Sequence, residues 1–292
     1  MAVGTGSASE LTAEQVQHIL VKPLEAKSVF LAAGPRIFDT NGSPVRIPKG
    51  GAPTAPGFVG ENTVIPEVDA TFDEIELLPS TLQSVKTLTR YSNELARQSV
   101  VSLDAALRDR LVTDVAAKLD AQFLGAGGNG TTTPLGLFAY SGVQNVAVGG
   151  ALGLDHLLDA WGLALGANVD TTALKWVMTP REFIKLRKIK QGTGSNQYVL
   201  TPDPTQDGVF RLFGSQVIVT SRVPDLTGTP NTGRAALVDF SQIAVARDLA
   251  PSVKVLTERY ADFDQQAIRV IARYDAKPIN PEAVITLTGI AL

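Results

Sequence analysis

Between Leu103 and Phe123 an apolar residue recurs every four positions: Leu103, Leu107, Leu111, Val115, Leu119 and Phe123, with Val112 and Ala116 beside them. That spacing lays one apolar stripe along a helix of period 3.6. Ser102 stands where an N-cap belongs and Asp104 lies near the positive helix end. Asp104 with Arg108, and Asp114 with Lys118, are i,i+4 pairs in the favourable order. Gly125 falls just past the helix end, at the C′ position that glycine favours. The pattern predicts one straight helix of about 30 Å, at about 1.5 Å per residue, acting as a structural beam.

Other stretches carry different periods. "TAEQVQHIL" (12–20) reads as a short helix with Thr12 and Gln15 as a capping box, stopped by Pro23 and too short to stand alone. "ATFDEIELLPSTLQSVKTLTRYS" reads as two strands broken at Pro79. "DHLLDAWGLALG" is helical, with Leu157, Leu158, Trp161 and Leu165 expected on one side. "ALKWVMTPREFIKLRKIK" is a strand followed by a helix, in which Thr179, Pro180 and Glu182 sit at N-cap, N1 and N3. Phe183, Ile184, Leu186 and Ile189 supply its apolar face. "FGSQVIVTSRVP", "RAALVDFSQIAVARD" and "SVKVLTERY" are β-runs. In the closing stretch Ile268, Val270, Ala272 and Tyr274 alternate with Arg269, Ile271 and Arg273, a strand with one more polar face.

Asn41 to Pro66 fits neither period. It holds five prolines and five glycines, yet also Val45, Ile47, Phe58, Val64 and Ile65. A surface linker has little use for Phe58 among valines and isoleucines. The segment is expected to be an arm or open hairpin that buries its apolar residues on another subunit.

Composition narrows the chemistry. The 292 residues are 44% hydrophobic, enough for a sizeable core, and the net charge of −3 argues against tight nucleic-acid binding. There are no cysteines, which excludes disulfides, thiolate catalysis and zinc–sulfur sites. No apolar run is long enough to span a bilayer. The opening Met, with no basic-then-apolar leader behind it, implies an unprocessed N-terminus. The two histidines, His18 and His156, lack partners at metal-ligand spacing, and no nucleophile, zincin or kinase motif is present. Asp73, Glu74 and Glu76 share one strand, in which consecutive acids point to opposite faces, and this suits a solvated or intersubunit surface better than acid–base chemistry. Lys185, Arg187, Lys188 and Lys190 crowd the end of a helix, where cations suit the dipole; weak nucleic-acid contact is the alternative.

One motif asks for a ligand. Gly125, Gly127 and Gly130 in "GAGGNGTTTPLG" have the G-x-G-x-x-G spacing of a dinucleotide loop. Such a loop must follow a strand and open a helix, so that phosphate meets the positive helix end. Here the glycines follow a helix C-terminus, which repels phosphate. They are expected to form a tight junction instead, with Pro134 and Gly136 carrying the chain onward.

The order of these features resembles the major capsid proteins of tailed bacteriophages with the Hong Kong 97 fold. The likeness is carried by Ser92, Glu94 and Leu95 before the long helix, Asp120 late in it, the Gly125 exit and the Pro134–Leu135–Gly136 turn. It continues through "WVMTPREFIKLRKIKQGTG", through "LFGSQVIVTSRVP" with Gln216 in place of the usual proline, and through "QAIRVIARYDAKPINPEAVITL". The resemblance implies an α+β capsid fold: an N-terminal arm (1–37), an extended E-loop hairpin (38–80), a P-domain with the long spine helix (81–136), an A-domain (137–251) and return strands of the P-domain (252–292). E-loop residues Val45, Ile47, Lys49, Phe58, Val64 and Ile65 would make intersubunit contacts. Leu107, Leu111, Val115 and Leu119 would form the spine-helix core. Gly125, Gly127, Gly130, Pro134 and Gly136 would form the domain junction.

By the same resemblance the protein would be a structural, non-enzymatic shell subunit without cofactor or metal. It would assemble in the bacterial host cytoplasm into hexamers and pentamers of an icosahedral virion head. Its other partners would be a portal, packaged double-stranded DNA held by weak contact, and a decoration protein outside. The lead-in is too short for a fused scaffolding domain, so a separate scaffolding protein, or none, is expected. Some members form a Lys–Asn isopeptide crosslink. Here Asn62 stands where the crosslinking lysine would align and Lys49 is the only lysine of the loop tip, so no crosslink is expected. Two other readings remain. An encapsulin-type nanocompartment would hold a cargo enzyme. A dinucleotide-dependent enzyme would rest on the glycines alone.

Overall fold

A computed structural model describes residues 24, 27–50, 58–64, 72–94, 103–192, 195–200, 210–248 and 252–292. The beam predicted from the fourfold spacing is helix α2 (Leu103–Phe123). Leu111, Val112, Val115, Ala116, Leu119 and Phe123 are all buried along it. Ser102 and the Asp104–Arg108 pair lie outside the described residues and side chains, as do the 12–20 helix and His18. Asp114 pairs with Arg110, one turn before it at 3.1 Å, rather than with Lys118 one turn after.

The α2 stripe faces the largest core. The four-residue helix α1 (Val29–Ala32) brings Phe30 to it, with ring centroids 5.0 Å from Phe123 and 5.6 Å from Phe240. Across the helix lies a three-stranded antiparallel sheet of β4 (Val85–Ser92), β12 (Gln265–Ala272) and β11 (Ser252–Leu256). It contributes Tyr91, Val253, Ile268 and Val270 to that core. The alternation expected from Ile268 to Tyr274 holds, with Arg269, Ile271 and Arg273 on the less buried face. The closing stretch is divided between β12, β13 (Tyr274–Pro278) and β14 (Val284–Ala291).

A second sheet has six strands in the order β5 (Gln144–Ala147), β14, β9 (Thr232–Asp239), β6 (Leu174–Met178), β8 (Ser215–Val219) and β7 (Arg211–Leu212). In β9, Ala236 and Val238 enter the first core while Ala235 and Leu237 enter a second one. A strand buried on both faces reads as a continuous apolar run, and "AALV" is that run. Helices α3 (Leu154–Gly166) and α4 (Pro180–Arg187) cover the second face. Thr179 caps α4 through Glu182 N–H, with Pro180 in the first turn, as its sequence predicts.

The faces of these helices differ from the sequence expectation. On α3, Leu157, Ala160 and Ala164 are buried, but Leu158 and Leu165 are 51% and 56% exposed. Two alanines let the helix sit close on the sheet, so the larger side chains one step round its axis are left outside. On α4, Phe183 and Leu186 are buried and Ile184 is exposed for the same geometric reason.

A third, small core lies where β1 (Arg36–Thr40), β10 (Ile243–Asp248) and β13 form a mixed sheet, with β1 parallel to β10. The hairpin of β2 (Val45–Gly50) and β3 (Phe72–Leu77) rises from it. The break expected at Pro79 separates β3 from β4.

Candidate functional site

Among the described residues no single cleft gathers reactive groups. Among the described residues no three of His, Asp and Glu come together as a metal site, and no helix is long and apolar enough to cross a membrane. A groove of about 440 Å³ between α2 and β4 is lined by Val85, Lys86, Asp114, Lys118, Gln122 and Pro134, among others, and is open to solvent. The notable constructions are instead the projecting hairpin, the arm latch and the exit of the long helix.

The β2–β3 hairpin is antiparallel with Val45 opposite Leu77 and Lys49 opposite Asp73. Arg46 and Glu74 form an exposed pair at 3.5 Å, and Asp73 accepts the N–H of Glu74 at 2.8 Å. The acidic cluster therefore does surface work. Of the six residues expected to reach another subunit, Val45 and Ile47 do not fit. They pack, half-buried, on their own chain's cluster of Leu77, Leu78, Leu82, Ala244 and Ala246. A hairpin must be rooted before it can project, and alternate side chains of β2 point at that root. Lys49 is half-buried; Phe58 and Val64 are exposed at 111% and 89%, with no apolar cover among the described residues. Asn62 lies between them with φ +60°. Ile65 lies outside the described residues.

Three charged residues of one strand region grip the backbone where β3 ends. The Asp275 carboxylate accepts from Leu78 N–H at 2.9 Å, Lys277 Nζ donates to Glu76 O at 2.7 Å, and Arg273 Nη2 donates to Pro79 O at 2.5 Å. Leu78 itself holds φ +54°, a conformation unfavourable for leucine. Asp275 is fully buried, and burial raises its carboxyl pKa despite two backbone N–H donors and the nearby Lys277 and Arg273. Beside it the Tyr140 hydroxyl is pushed up by burial and by the Asp275 charge; it donates to Ala276 O at 3.3 Å. Sequence reasoning missed this clamp. The available signal was the period-two spacing of Arg273, Asp275 and Lys277 around buried Tyr274 and Ala276.

The segment that opens α1 is latched at Asp120. This buried carboxylate accepts from Ser28 Oγ at 2.6 Å, Val29 N–H at 2.9 Å and Phe30 N–H at 3.1 Å. It thereby satisfies the orphan donors of α1 from outside the helix. The signal was an aspartate set into the buried side of α2; its partner, 92 positions away, was not legible.

The spine-helix core residues Leu111, Val115 and Leu119 are buried, and Leu107 is half-buried at the core's edge. At the helix exit Gly125 does not take the left-handed conformation expected of a C′ glycine; positive φ falls at Gly128 (+101°) and Gly130 (+68°). Gly125 is needed for space, since a Cβ there would lie 2.7 Å from Ala121 O. The chain folds back on the helix end: Phe138 N–H donates to Gly125 O at 3.0 Å and Gly136 N–H to Gly127 O at 2.9 Å. Gly136 approaches Gly125 O so closely that no Cβ fits. Gln122 Nε2 closes the turn on Pro134 O at 2.6 Å. The N–H groups of Thr131, Thr132 and Thr133 all donate to Asn129 Oδ1, at 3.0, 2.9 and 3.1 Å. Asn129 thereby ties the turn that follows the glycines together.

The basic cluster is partly committed to the subunit. Lys185 Nζ donates to Ala291 O at 2.8 Å, and the Arg187 guanidinium lies over Phe183 and Phe210 at 5.7 and 5.8 Å. His156 serves α3, its Nδ1 accepting Gly153 N–H at 3.2 Å.

The model of the phage capsid family matches residues 10–289. No curated protein matches. Among solved structures, the capsid of a native GTA particle is 17% identical, with TM-score 0.72 over 90% of this chain and 90% of that one. The capsid of the empty GTA particle is 16% identical, with TM-score 0.71 over 100% and 95%. A chain of Mycobacterium phage Che8 is 16% identical, with TM-score 0.61 over 99% and 94%. At such identities these likenesses speak for the fold.

Proposed function

The chain belongs to the phage capsid family, and from that premise we propose how its parts serve a shell. It is a major capsid protein with the Hong Kong 97-like fold of tailed-phage capsids, a self-associating structural subunit of the virion and not an enzyme. In our reading residues 1–37 are the N-terminal arm, 38–80 the E-loop, 81–136 the P-domain, 137–251 the A-domain and 252–292 the return strands of the P-domain. Hexamers and pentamers of this chain close an icosahedral head around double-stranded DNA. Assembly runs in the host cytoplasm with a portal and a separate scaffolding protein, and a decoration protein can cover the outside.

The observation that carries this reading is a hairpin fastened at its root and bare at its tip. Phe58 and Val64 are exposed, while Val45, Ile47 and Leu78 are held by packing and by the Asp275 clamp. An apolar tip on a pinned stalk gains its burial from a second copy, and many such modest contacts stabilise a shell by mass action. The net charge of −3 suits a lining that touches DNA without clamping it. The nanocompartment alternative is not favoured, since the matched family is that of phage capsids.

The test is expression of the full chain, with and without phage-encoded scaffolding, followed by negative-stain microscopy and nuclease-protection analysis. Icosahedral shells are expected, with double-stranded DNA inside particles from infected cells. A chain that stays monomeric at every concentration would overturn the reading, and small shells holding one enzyme would replace it.

A further inference from the structure

Two apolar patches flank the six-stranded sheet at opposite ends. Strand β5 is one edge and β7 the other, and α3 packs over β14 and β5. On α3, Leu158 and Leu165 are 51% and 56% exposed, and helical spacing puts half-buried Trp161 on the same flank. Gly162 lies beside them in mid-helix. Glycine is the worst helix former after proline, and nothing within 4 Å in the subunit would obstruct a Cβ there. The subunit alone gives no reason for it.

At the other end, residues 213 and 214 join β7 to β8 with φ of +50° and +82°. Two-residue hairpins with both central φ positive strongly favour Asn-Gly or Asp-Gly. Here the first position is Phe213, a bulky residue in the left-handed region whose ring is 42% exposed. A strained residue with an exposed apolar side chain points to a contact made outside the subunit. Its neighbour Phe210 packs against Phe183 with centroids 4.7 Å apart and the rings tilted by 51°, which gives the hairpin a firm base.

Charge is arranged to match. Helix α3 carries exposed Asp155 and Asp159 and no lysine or arginine, whereas exposed Lys188, Lys190 and Arg211 lie around the β7 end. We propose that Phe213 of one copy docks on the Leu158–Trp161–Leu165 flank of α3 in the next, over the gap left by Gly162. The contact joins two different surfaces, so it repeats head to tail, as the rings of the shell reading require. The acidic rim of α3 facing Lys190 and Arg211 sets the orientation. This contact rests on the shell reading and adds its partner surface to it.

The chain lacks cysteine, so introduced thiols report cleanly. Particles of the double variant Leu165→Cys/Phe213→Cys, treated with a short bis-maleimide, are expected to give a denaturing-gel ladder ending at closed rings. Either single variant should give none. A second test uses Phe213→Asn, which fits the turn better. It is expected to raise the melting temperature of the unassembled subunit and to reduce particle yield at least tenfold. Normal assembly of Phe213→Asn overturns the contact. So does a ladder-free double variant in intact particles, or crosslinking by Leu165→Cys alone. If the wild-type chain forms no particles at all, the shell reading itself fails, and this contact with it.

Discussion

Replacing Asp120 with alanine removes the acceptor shared by the Ser28 hydroxyl and the Val29 and Phe30 N–H groups. Stranding these donors in a buried place is expected to cost about 3 kcal/mol, measured by urea unfolding. Asp275 makes a prediction about pH. Burial raises its carboxyl pKa, so in the interval above the ordinary carboxylate value the folded chain holds more proton than the unfolded one. Its contribution to stability is full in acid and is lost as pH rises through the raised pKa. Asp275→Asn should flatten that slope when unfolding curves are compared across pH. The glycines of the helix exit separate by geometry. Gly127→Ala meets open space and should change stability by less than about 1 kcal/mol. Gly136→Ala collides with Gly125 O and should cost about 2 kcal/mol or more in the same assay. The motif's spacing alone ranks none of these positions, because backbone neighbours nine or eleven residues away decide them.

At the scale of elements, the hairpin behaves as a lever with a fixed base. Lys277→Ala removes the donor to Glu76 O. It is expected to speed amide exchange in β2 and β3 severalfold while exchange in β12 stays unchanged, read by mass spectrometry. The helices show where periodicity stops informing. On α2 the stripe is buried because a sheet, an arm and a turn close on it together. On α3 the same kind of stripe is split, since Ala160 and Ala164 rather than Leu158 and Leu165 face the sheet. An apolar residue on a helix does not by itself say whether its own chain covers it.

For the whole molecule, Phe58→Ser with Val64→Ser tests assembly apart from folding. Both side chains are exposed in the subunit, so its melting temperature should hold within a few degrees while shell formation, followed by sedimentation velocity, falls sharply. The strands, the long helix, its exit glycines and the unusual Pro/Gly-rich segment were legible because each depends on local period or local turn chemistry. The family resemblance was legible because the order of weak motifs survives where each alone does not.

The sequence by itself determined the elements and their amphipathic character: a 21-residue beam, a capped α4 and an alternating β12. Tertiary structure alone decided that Asp120 meets Ser28, that Asp275 and Lys277 hold the root of the hairpin, and that Val45 and Ile47 face inward while Phe58 and Val64 do not. The reason is physical. Helix and strand periods are set by backbone geometry within a few residues, whereas burial, pairing and pKa depend on which distant segments exclude water from the same place.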